Sequence, residues 1–433
     1  MNFLEYFTDP VLKAPMIGSC LMCIGASLMG TLAFVRKKSL LAETLAHASY
    51  PGLVLATLLF SLYFPKMHEW TFLAALFGAF ISAFLGLWVI DRMIRKRRAS
   101  SDTSLSFILA SFFGLGLLLA SSIQIPFSKI YKEIQFYLYG QTATMTDLHV
   151  NIYSILTIGI CLFLILFYRP IQAMLFHYFY AKSLGLHVQV LNALFFILLV
   201  LSIVIGIRSV GIVLISAMLI APAVSARQFT HQLSFMLILS ACFGFLSACL
   251  GTYLSVEISL KKGFSLPTGP IIALVSVSFA FLSLLFAPKR GFLFRMARIG
   301  RFKYRTLEEN ILKSIWKKEK MTFSELQSYH PVQGFFLVYF LYRMRRQGWV
   351  YQQGKHVLLT KDGQEKAKRI VRIHRLWELY LADHLGMGVE KVHKSAEEME
   401  HIITPELEEK LSIFLSNPTK DPHAQPIPVR DLV

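Results

Sequence analysis

Long apolar runs recur from about Ala14 to Ala287, each close to the roughly 20 residues a helix needs to cross about 30 Å of hydrocarbon. The candidate spans are 14–34, 40–64, 70–91, 104–123, 148–169, 190–207, a short one at 210–226, 233–255 and 268–287, about nine crossings. Beyond them the pattern becomes that of a water-soluble chain. The expected class is mainly α: a polytopic α-helical membrane domain followed by a water-soluble part.

Basic residues orient the spans. Arg36-Lys37-Lys38 closes the first and Arg92, Arg95, Lys96, Arg97 and Arg98 close the third, so both groups fall on one face, which the positive-inside tendency makes cytoplasmic. The N-terminus is then outside, and the weakly charged stretch around Glu5, Asp9 and Lys13 does not read as a signal peptide. Nine crossings put the tail inside, with Lys289, Arg290, Arg295, Arg298 and Arg301 at the membrane exit. Lys129, Lys132, Lys261 and Lys262 fall on the opposite face. Cys20, Cys23, Cys161, Cys242 and Cys249 all sit in apolar segments at spacings that give no disulfide framework and no zinc site, and are read as packing residues.

The formal charge of +18 is unevenly spread. Residues 288–375 carry 21 Lys/Arg against 6 Asp/Glu, whereas residues 376–433 carry 5 against 11. Within the basic part, Leu307–Lys318, Thr322–Tyr329 and Val332–Gln347 have helical periodicity, and Gly348–Thr360 reads as two strands around a Gln-Gly turn. Three helices and a hairpin in that order make a winged helix-turn-helix. Net positive charge makes duplex DNA the expected partner, with Arg343, Arg345 and Arg346 on the third helix and Lys355 on the wing available to phosphates.

The acidic part holds His393, Glu397, Glu400 and His401, which one helix would place at i, i+4, i+7 and i+8 on a single face. Two carboxylates and two imidazoles on one stripe read as a divalent-metal site. His374 and Glu378 form a second pair about one helical turn apart. Simple charge pairing on a solvated helix would account for Glu397 and Glu398, but not for two histidines on the same stripe.

In the second span, Leu40-Leu-Ala-Glu43-Thr-Leu-Ala-His47-Ala-Ser-Tyr-Pro51-Gly52 places an ionisable pair four residues apart in an apolar helix, with Pro51-Gly52 weakening the helix beyond it. Such a pair at membrane depth marks a functional site or a hydrogen bond to a neighbouring helix. The run resembles the Asp-x-x-x-His-Ala-x-x-Pro-Gly segment of the ABC-3 family, the permeases of bacterial zinc, manganese and iron importers. Leu138-Tyr-Gly-Gln-Thr142, Ala181-Lys-Ser-Leu184-Gly185-Leu186, Val210-Gly211 through Pro222-Ala223, and Pro267-Thr-Gly269-Pro270 follow in the family's order. The resemblance puts Glu43 and His47 on the metal path, with Glu43 one methylene longer than the family's Asp. No phosphate-binding Gly-x-x-x-x-Gly-Lys-Ser/Thr loop is present, so the chain is read as a transport subunit and not an enzyme. The resemblance implies a separate ATPase docking on a helix near Tyr180–Asn192, an extracytoplasmic metal-binding protein, and a second permease subunit or a homodimer, in a bacterial inner membrane.

Four further runs resemble the DtxR/MntR family of metal-dependent repressors: Leu359-Thr360-x-x-Gly363, Arg372-Ile-His374-Arg375-Leu376-x-Glu378, Lys391-Val392-His393 through Glu400-His401, and Pro422-His423-Ala-Gln-Pro426-Ile427-Pro428. The resemblance assigns Glu397, Glu400 and His401 to the metal site that controls DNA binding, and His374, Glu378 and His393 to a neighbouring one. The family's ligand on the first helix aligns with Asn310, a weaker, neutral donor for which Glu309 or water could substitute. A carboxylate at Glu397, where some relatives carry Cys, favours Mn²⁺ or Fe²⁺ over thiolate-loving ions, with Zn²⁺ still open. The third helix departs from the family: it starts Gly334-Phe335-Phe336-Leu337-Val338-Tyr339-Phe340, a stripe suited to a core or a partner surface. The SH3-like third domain of longer relatives is not expected after Pro428.

The expected order is a permease at 1–288, a basic linker at 289–305 without a clear helical stripe, a winged helix at 306–369 and a metal-binding and dimerisation domain at 370–433, as in permease–repressor fusions. Cleavage at about 288–306 would release a soluble repressor. The alternative is a transporter whose tail is a metal-sensing gate or a dimerisation clamp that never touches DNA.

Overall fold

The computed structural model describes residues 3–429 apart from 66, 68–69, 97–99, 141, 143–144, 264–265 and 289, and leaves the side chains of residues 3, 4, 262, 389 and 390 undescribed. Arg97, Arg98, Gln141, Lys289 and the Lys262 side chain, named above, therefore lie outside the described residues. The chain divides into two compact units, Met1–Phe294 and Arg295–Val433.

The first unit is built from α1 (Lys13–Val35), α2 (Ser39–Tyr63), α3 (Thr71–Arg95), α4 (Ser101–Ile123), α5 (Ser128–Tyr139), α6 (Asp147–Leu166), α7 (Tyr168–Phe176), α8 (Tyr178–Ser183), α9 (Val188–Val210), α10 (Ile215–Phe229), α11 (Leu233–Lys262) and α12 (Thr268–Phe286). Among the described residues, α1, α2, α3, α4, α6, α9, α11 and α12 are long and apolar enough to cross a membrane. The ninth expected span is α10, and it is short for a physical reason. Gly211 ends α9 at φ +93°, and the 15 residues of α10 cover about 22 Å, less than the hydrocarbon core.

Helix α1 is buried on nearly every face and packs against α6, α9, α10 and α11. Small residues permit this, since lipid tails give helices no hydrophobic reason to associate and close backbone approach must supply the attraction. A Cβ on Gly30 would lie 1.9 Å from the Leu219 carbonyl oxygen of α10. Pro51 does not end α2, which continues to Tyr63 although the His47 carbonyl loses its N–H partner; next to it Ser82 Oγ of α3 donates to the Ala48 carbonyl at 2.7 Å, and Gly52 lets the two backbones meet. Of the cysteines, Cys20 and Cys249 pack Sγ to Sγ at 3.3 Å and Cys23 is buried beside them, whereas Cys242 is exposed.

The second unit begins within α13 (Phe292–Lys318), followed by β1 (Lys320–Thr322), α14 (Phe323–Tyr329), α15 (Gly334–Arg346), β2 (Val350–Gln353), β3 (His356–Leu359), α16 (Lys361–Leu385), α17 (Val389–Met399) and α18 (Pro405–Phe414). The stretch read as a linker is helical, because Leu293, Met296, Ala297 and the arginines are good helix formers that outweigh the roughly 1 kcal/mol cost of Gly300. The strands pair antiparallel in the order β1-β3-β2, and Gln353 opposite His356 leaves a two-residue loop in which Gly354 supplies the positive φ. β1 is too short to show in the sequence pattern. Ile311, Leu312, Ile315, Leu326, Leu337, Phe340, Met344 and Leu359 form the core of this three-helix and wing arrangement.

Candidate metal centre

Thr360 caps α16 by accepting from the Gly363 N–H at 3.2 Å, and the helix runs 25 residues before Gly386 closes it in the left-handed region. Its apolar stripe of Ala367, Ile370, Val371, Ile373 and Leu381 fixes which face is buried, and His374 and Glu378 lie on that face one turn apart. α17 supplies His393. His374 Nε2 lies 3.1 Å from Glu378 Oε1 and 3.0 Å from His393 Nδ1, and His393 Nδ1 lies 2.8 Å from the same Glu378 oxygen. His374 and Glu378 are buried, while the His393 side chain is half exposed.

Three donor atoms at mutual distances of 2.8–3.1 Å match the ligand spacing of one face around a divalent ion with bonds of about 2.1 Å, where adjacent ligands sit about 3 Å apart. Two imidazoles and one carboxylate suit borderline ions. Glu400 Oε2 lies 2.5 Å from His374 Nδ1 and would keep a proton on that nitrogen when a bound ion takes Nε2. Burial pushes the Glu378 carboxyl up, but hydrogen bonds from His374 and His393 outweigh it and hold it down at about 2. Burial acts to lower the His374 imidazolium, and Glu378 and Glu400 together raise it above its ordinary value.

The other expected set comes together only in part: His401 Nε2 lies 3.6 Å from Glu400 Oε1, and Glu309, the substitute offered for Asn310, also reaches His401, but Glu397 does not join them. α17 stops at Met399, because β-branched Ile402, Ile403 and Thr404 precede Pro405, which forces Thr404 into extended backbone as the cap of α18. The four-residue stripe is therefore broken at its end. Glu397 is exposed, its nearest approach to the centre being 3.6 Å to His393 Nε2. Glu400 turns inward to Lys313 of α13, whose Nζ donates to both carboxylate oxygens at 2.8 and 2.9 Å. His401 Nδ1 meets Glu309 Oε2 at 2.7 Å, and Glu309 in turn accepts from Arg305 Nε at 2.7 Å. Asn310 is half buried. Sequence reasoning missed Lys313, whose only signal is its place in the buried run Ile311-Leu312-Lys313-Ser314-Ile315. It also missed how Arg372 and Arg375 hold the terminal Pro422–Pro428 run: Arg372 donates to the Pro428 carbonyl at 3.2 Å, and Arg375 to the Pro426 carbonyl and to Gln425.

On the winged helix, Arg345, Arg346 and Lys355 are exposed, and Arg345 and Lys355 line one pocket of about 250 Å³ between α15 and the wing. Arg343 is not free: it lies 3.5 Å from Glu308 and over the Tyr304 ring. The aromatic stripe of α15 divides, with Leu337 and Phe340 in the core and Phe335, Phe336, Tyr339 and Tyr342 exposed.

In the first unit, Glu43 and His47 lie four apart on α2, both half buried. His47 packs edge-on against Phe113, and its Nδ1 is buried without a hydrogen-bond partner among the described residues. Three of the other sequence motifs, those around Gly140, Gly211 and Gly269, converge on the end of α9. Gly140 and Gly211, both at positive φ, face each other, Ile212 N–H donates to the Tyr137 carbonyl, and Thr142 Oγ1 donates to the Ser209 carbonyl at 2.8 Å. A Cβ on Gly269 would meet that same carbonyl at 2.7 Å. Beside this junction Arg208 reaches the Tyr137 hydroxyl at 3.4 Å, a half-buried cation that its position at the edge of a span could have flagged.

Residues 8–287 match the ABC 3 transport family. The chain belongs to that family. A protein of Chlamydia pneumoniae described as a probable metal transport system membrane protein is 36% identical over 98% of this chain and 98% of its own length. The zinc transport system membrane protein TroC of Treponema pallidum is 30% identical over 68% of this chain and 95% of its own. PsaBC from Streptococcus pneumoniae, solved in complex with Fab, shares the permease fold at TM-score 0.57 and 26% identity, covering 67% of this chain and 97% of that one. Residues 360–429 match the iron dependent repressor metal binding and dimerisation domain, so this member of the ABC 3 family joins a permease to a repressor-type module. The His374, Glu378 and His393 donors all lie inside that second match.

Proposed function

We propose that the chain is the membrane subunit of an importer for a divalent metal, Mn²⁺ or Fe²⁺ before Zn²⁺, and that its C-terminal unit binds the same class of ion and represses transcription in response. The observation that carries the sensing half is the convergence of His374 Nε2, Glu378 Oε1 and His393 Nδ1. The orphaned Nδ1 of His47, one turn from Glu43 in an apolar helix, supports a ligand path through α2. Hydrolysis of ATP falls to a separate subunit. A cavity of about 810 Å³ lined by Lys38, Trp88, Asp91, Arg95, Asp102 and Tyr178 offers that subunit a charged surface beside α8, which ends at Ser183 and turns at Gly185 instead of forming one helix to Asn192. An extracytoplasmic metal-binding protein and a second permease copy or paralogue complete the assembly.

The basic cluster from Arg290 to Arg305 after the last span favours a cytoplasmic C-terminal unit in a bacterial inner membrane, with the short α10 completing the ninth crossing that this side requires. Bound metal would be held by His374, Glu378 and His393 and would supply the charge that draws α16 and α17 together. Arg345, Arg346 and Lys355 would then meet operator phosphates. Gel-shift titration of the full chain in nanodiscs against operator-region DNA, with Mn²⁺ or with chelator, tests this reading. Metal-dependent binding lost in His393→Ala and Glu378→Gln is expected, and equal binding in chelator would refute it. The four exposed aromatics of α15 favour one second reading, in which the unit is a metal-sensing gate or dimer clamp. Metal-dependent self-association without DNA affinity would select it.

A further inference from the structure

The buried carboxylates around the centre are not equivalent. Glu400, wholly enclosed, holds the Lys313 ammonium on both oxygens. Glu309 is paired with Arg305. Glu378 alone of the three has no lysine or arginine beside it among the described residues, its partners being the two imidazoles. A permanently charged side chain taken out of water survives only when paired and hydrogen-bonded. Lys313 meets that condition through Glu400 and lies 3.2 Å from His374 Nδ1.

We infer that Lys313 is a built-in cation occupying the place a second divalent ion would need at Glu400, so that this unit takes one ion per chain, at His374, Glu378 and His393. The geometry supports this in three ways. The ammonium already neutralises Glu400 and uses both its oxygens. An added divalent charge would have to sit against the ammonium in a region that water does not reach, where like charges are poorly screened. Lastly, the Glu400 oxygen shared with Lys313 also holds the Nδ1 proton of His374, so Lys313 steadies the acceptor that orients His374 toward the remaining centre. Glu400 thus orients a ligand instead of being one.

The inference rests on the sensing reading above, and one experiment separates the two. Full-length protein in detergent is dialysed to saturation with Mn²⁺ alone and the bound ions per chain are counted, each variant being checked by its melting transition. His393→Ala and Glu378→Gln should each lose one ion, and no loss would defeat the sensing reading itself. Lys313→Gln should gain one ion over the wild type, and Lys313→Gln with Glu400→Gln should return to the wild-type count. Lys313→Met, of similar length and without charge, repeats the test should the glutamine variant misfold. Glu400→Gln alone should keep the wild-type count at saturation while weakening affinity about 10- to 100-fold. Loss of an ion in Glu400→Gln, or no gain in folded Lys313 variants, would overturn the assignment.

Discussion

Gly140 and Gly211 occupy each other's side-chain space: a Cβ on Gly140 would lie 2.3 Å from the Val210 carbonyl carbon, and one on Gly211 2.6 Å from the Leu138 carbonyl oxygen. Both are also at positive φ. Ala at either position should therefore destabilise the permease by about 1–3 kcal/mol from backbone strain alone, before the clash is counted. Because they disturb one junction, the two changes should be less than additive. Thermal unfolding of Gly140→Ala, Gly211→Ala and the double variant in detergent measures this, and additive losses would count against a shared junction.

Glu43→Gln and His47→Ala should each abolish uptake while leaving the protein inserted and folded. The relevant measurement is ⁵⁴Mn²⁺ or ⁵⁵Fe²⁺ accumulation in proteoliposomes carrying the ATPase. Uptake at the wild-type rate in both variants would remove α2 from the path.

The pH dependence of the metal-free protein follows from two opposite shifts. Glu378 is held down at about 2, so its contribution is fully present above the ordinary carboxylate value and is lost as pH falls toward 2. His374 is held above its ordinary value, so its contribution is present below about 6.5 and is lost as pH rises through the folded-state value. Melting curves in chelator should show Glu378→Gln flattening the acid limb between about pH 4.5 and 2, and His374→Gln flattening the limb above neutrality. An unchanged acid limb in Glu378→Gln would mean that the network adds nothing to folding.

Operator binding, where it occurs, should respond unequally to the four cationic residues. Removing Arg345, Arg346 or Lys355 should lower affinity similarly for all sequences and reduce the salt slope by about 0.9 for each phosphate that is no longer neutralised. Arg343→Ala should change the slope less, because Glu308 and Tyr304 already engage that side chain. Equal slopes for all four would show that none meets a phosphate.

Release of a free repressor would require cutting either the short Ala287–Gly291 segment or helix α13 itself. Helical backbone resists proteases until it unfolds locally, so the C-terminus should be found by blotting mainly on full-length, membrane-bound protein. A dominant fragment of about 130 residues in metal-replete or metal-starved cells would contradict this.

The membrane architecture was legible because hydrocarbon imposes one rule on every span, and runs of apolar residues report it directly. α10 shows the limit: its composition reads as a short span, but the break that separates it from α9 depends on Gly211, whose partner Gly140 lies 71 positions away in sequence. The same limit applies at the metal centre. Local spacing showed His374 and Glu378 as a pair and put His393 on a different stripe, and only the family resemblance grouped the three. The fate of Glu400 was shown by neither, because it depends on Lys313, 87 residues upstream, and on Thr404-Pro405 ending α17 before the stripe is complete. A helical wheel cannot show where its helix stops.

His393 stands apart from its two partners in being half open to water. An ion held by this trio would have one removable wall. Rotamer changes of exposed side chains take picoseconds to nanoseconds, whereas opening a packed core takes microseconds or longer. The unit would therefore empty and refill at the pace of ligand exchange on the ion, keeping its fold throughout, and its occupancy would follow the surrounding metal level from moment to moment without storing a record of past exposure.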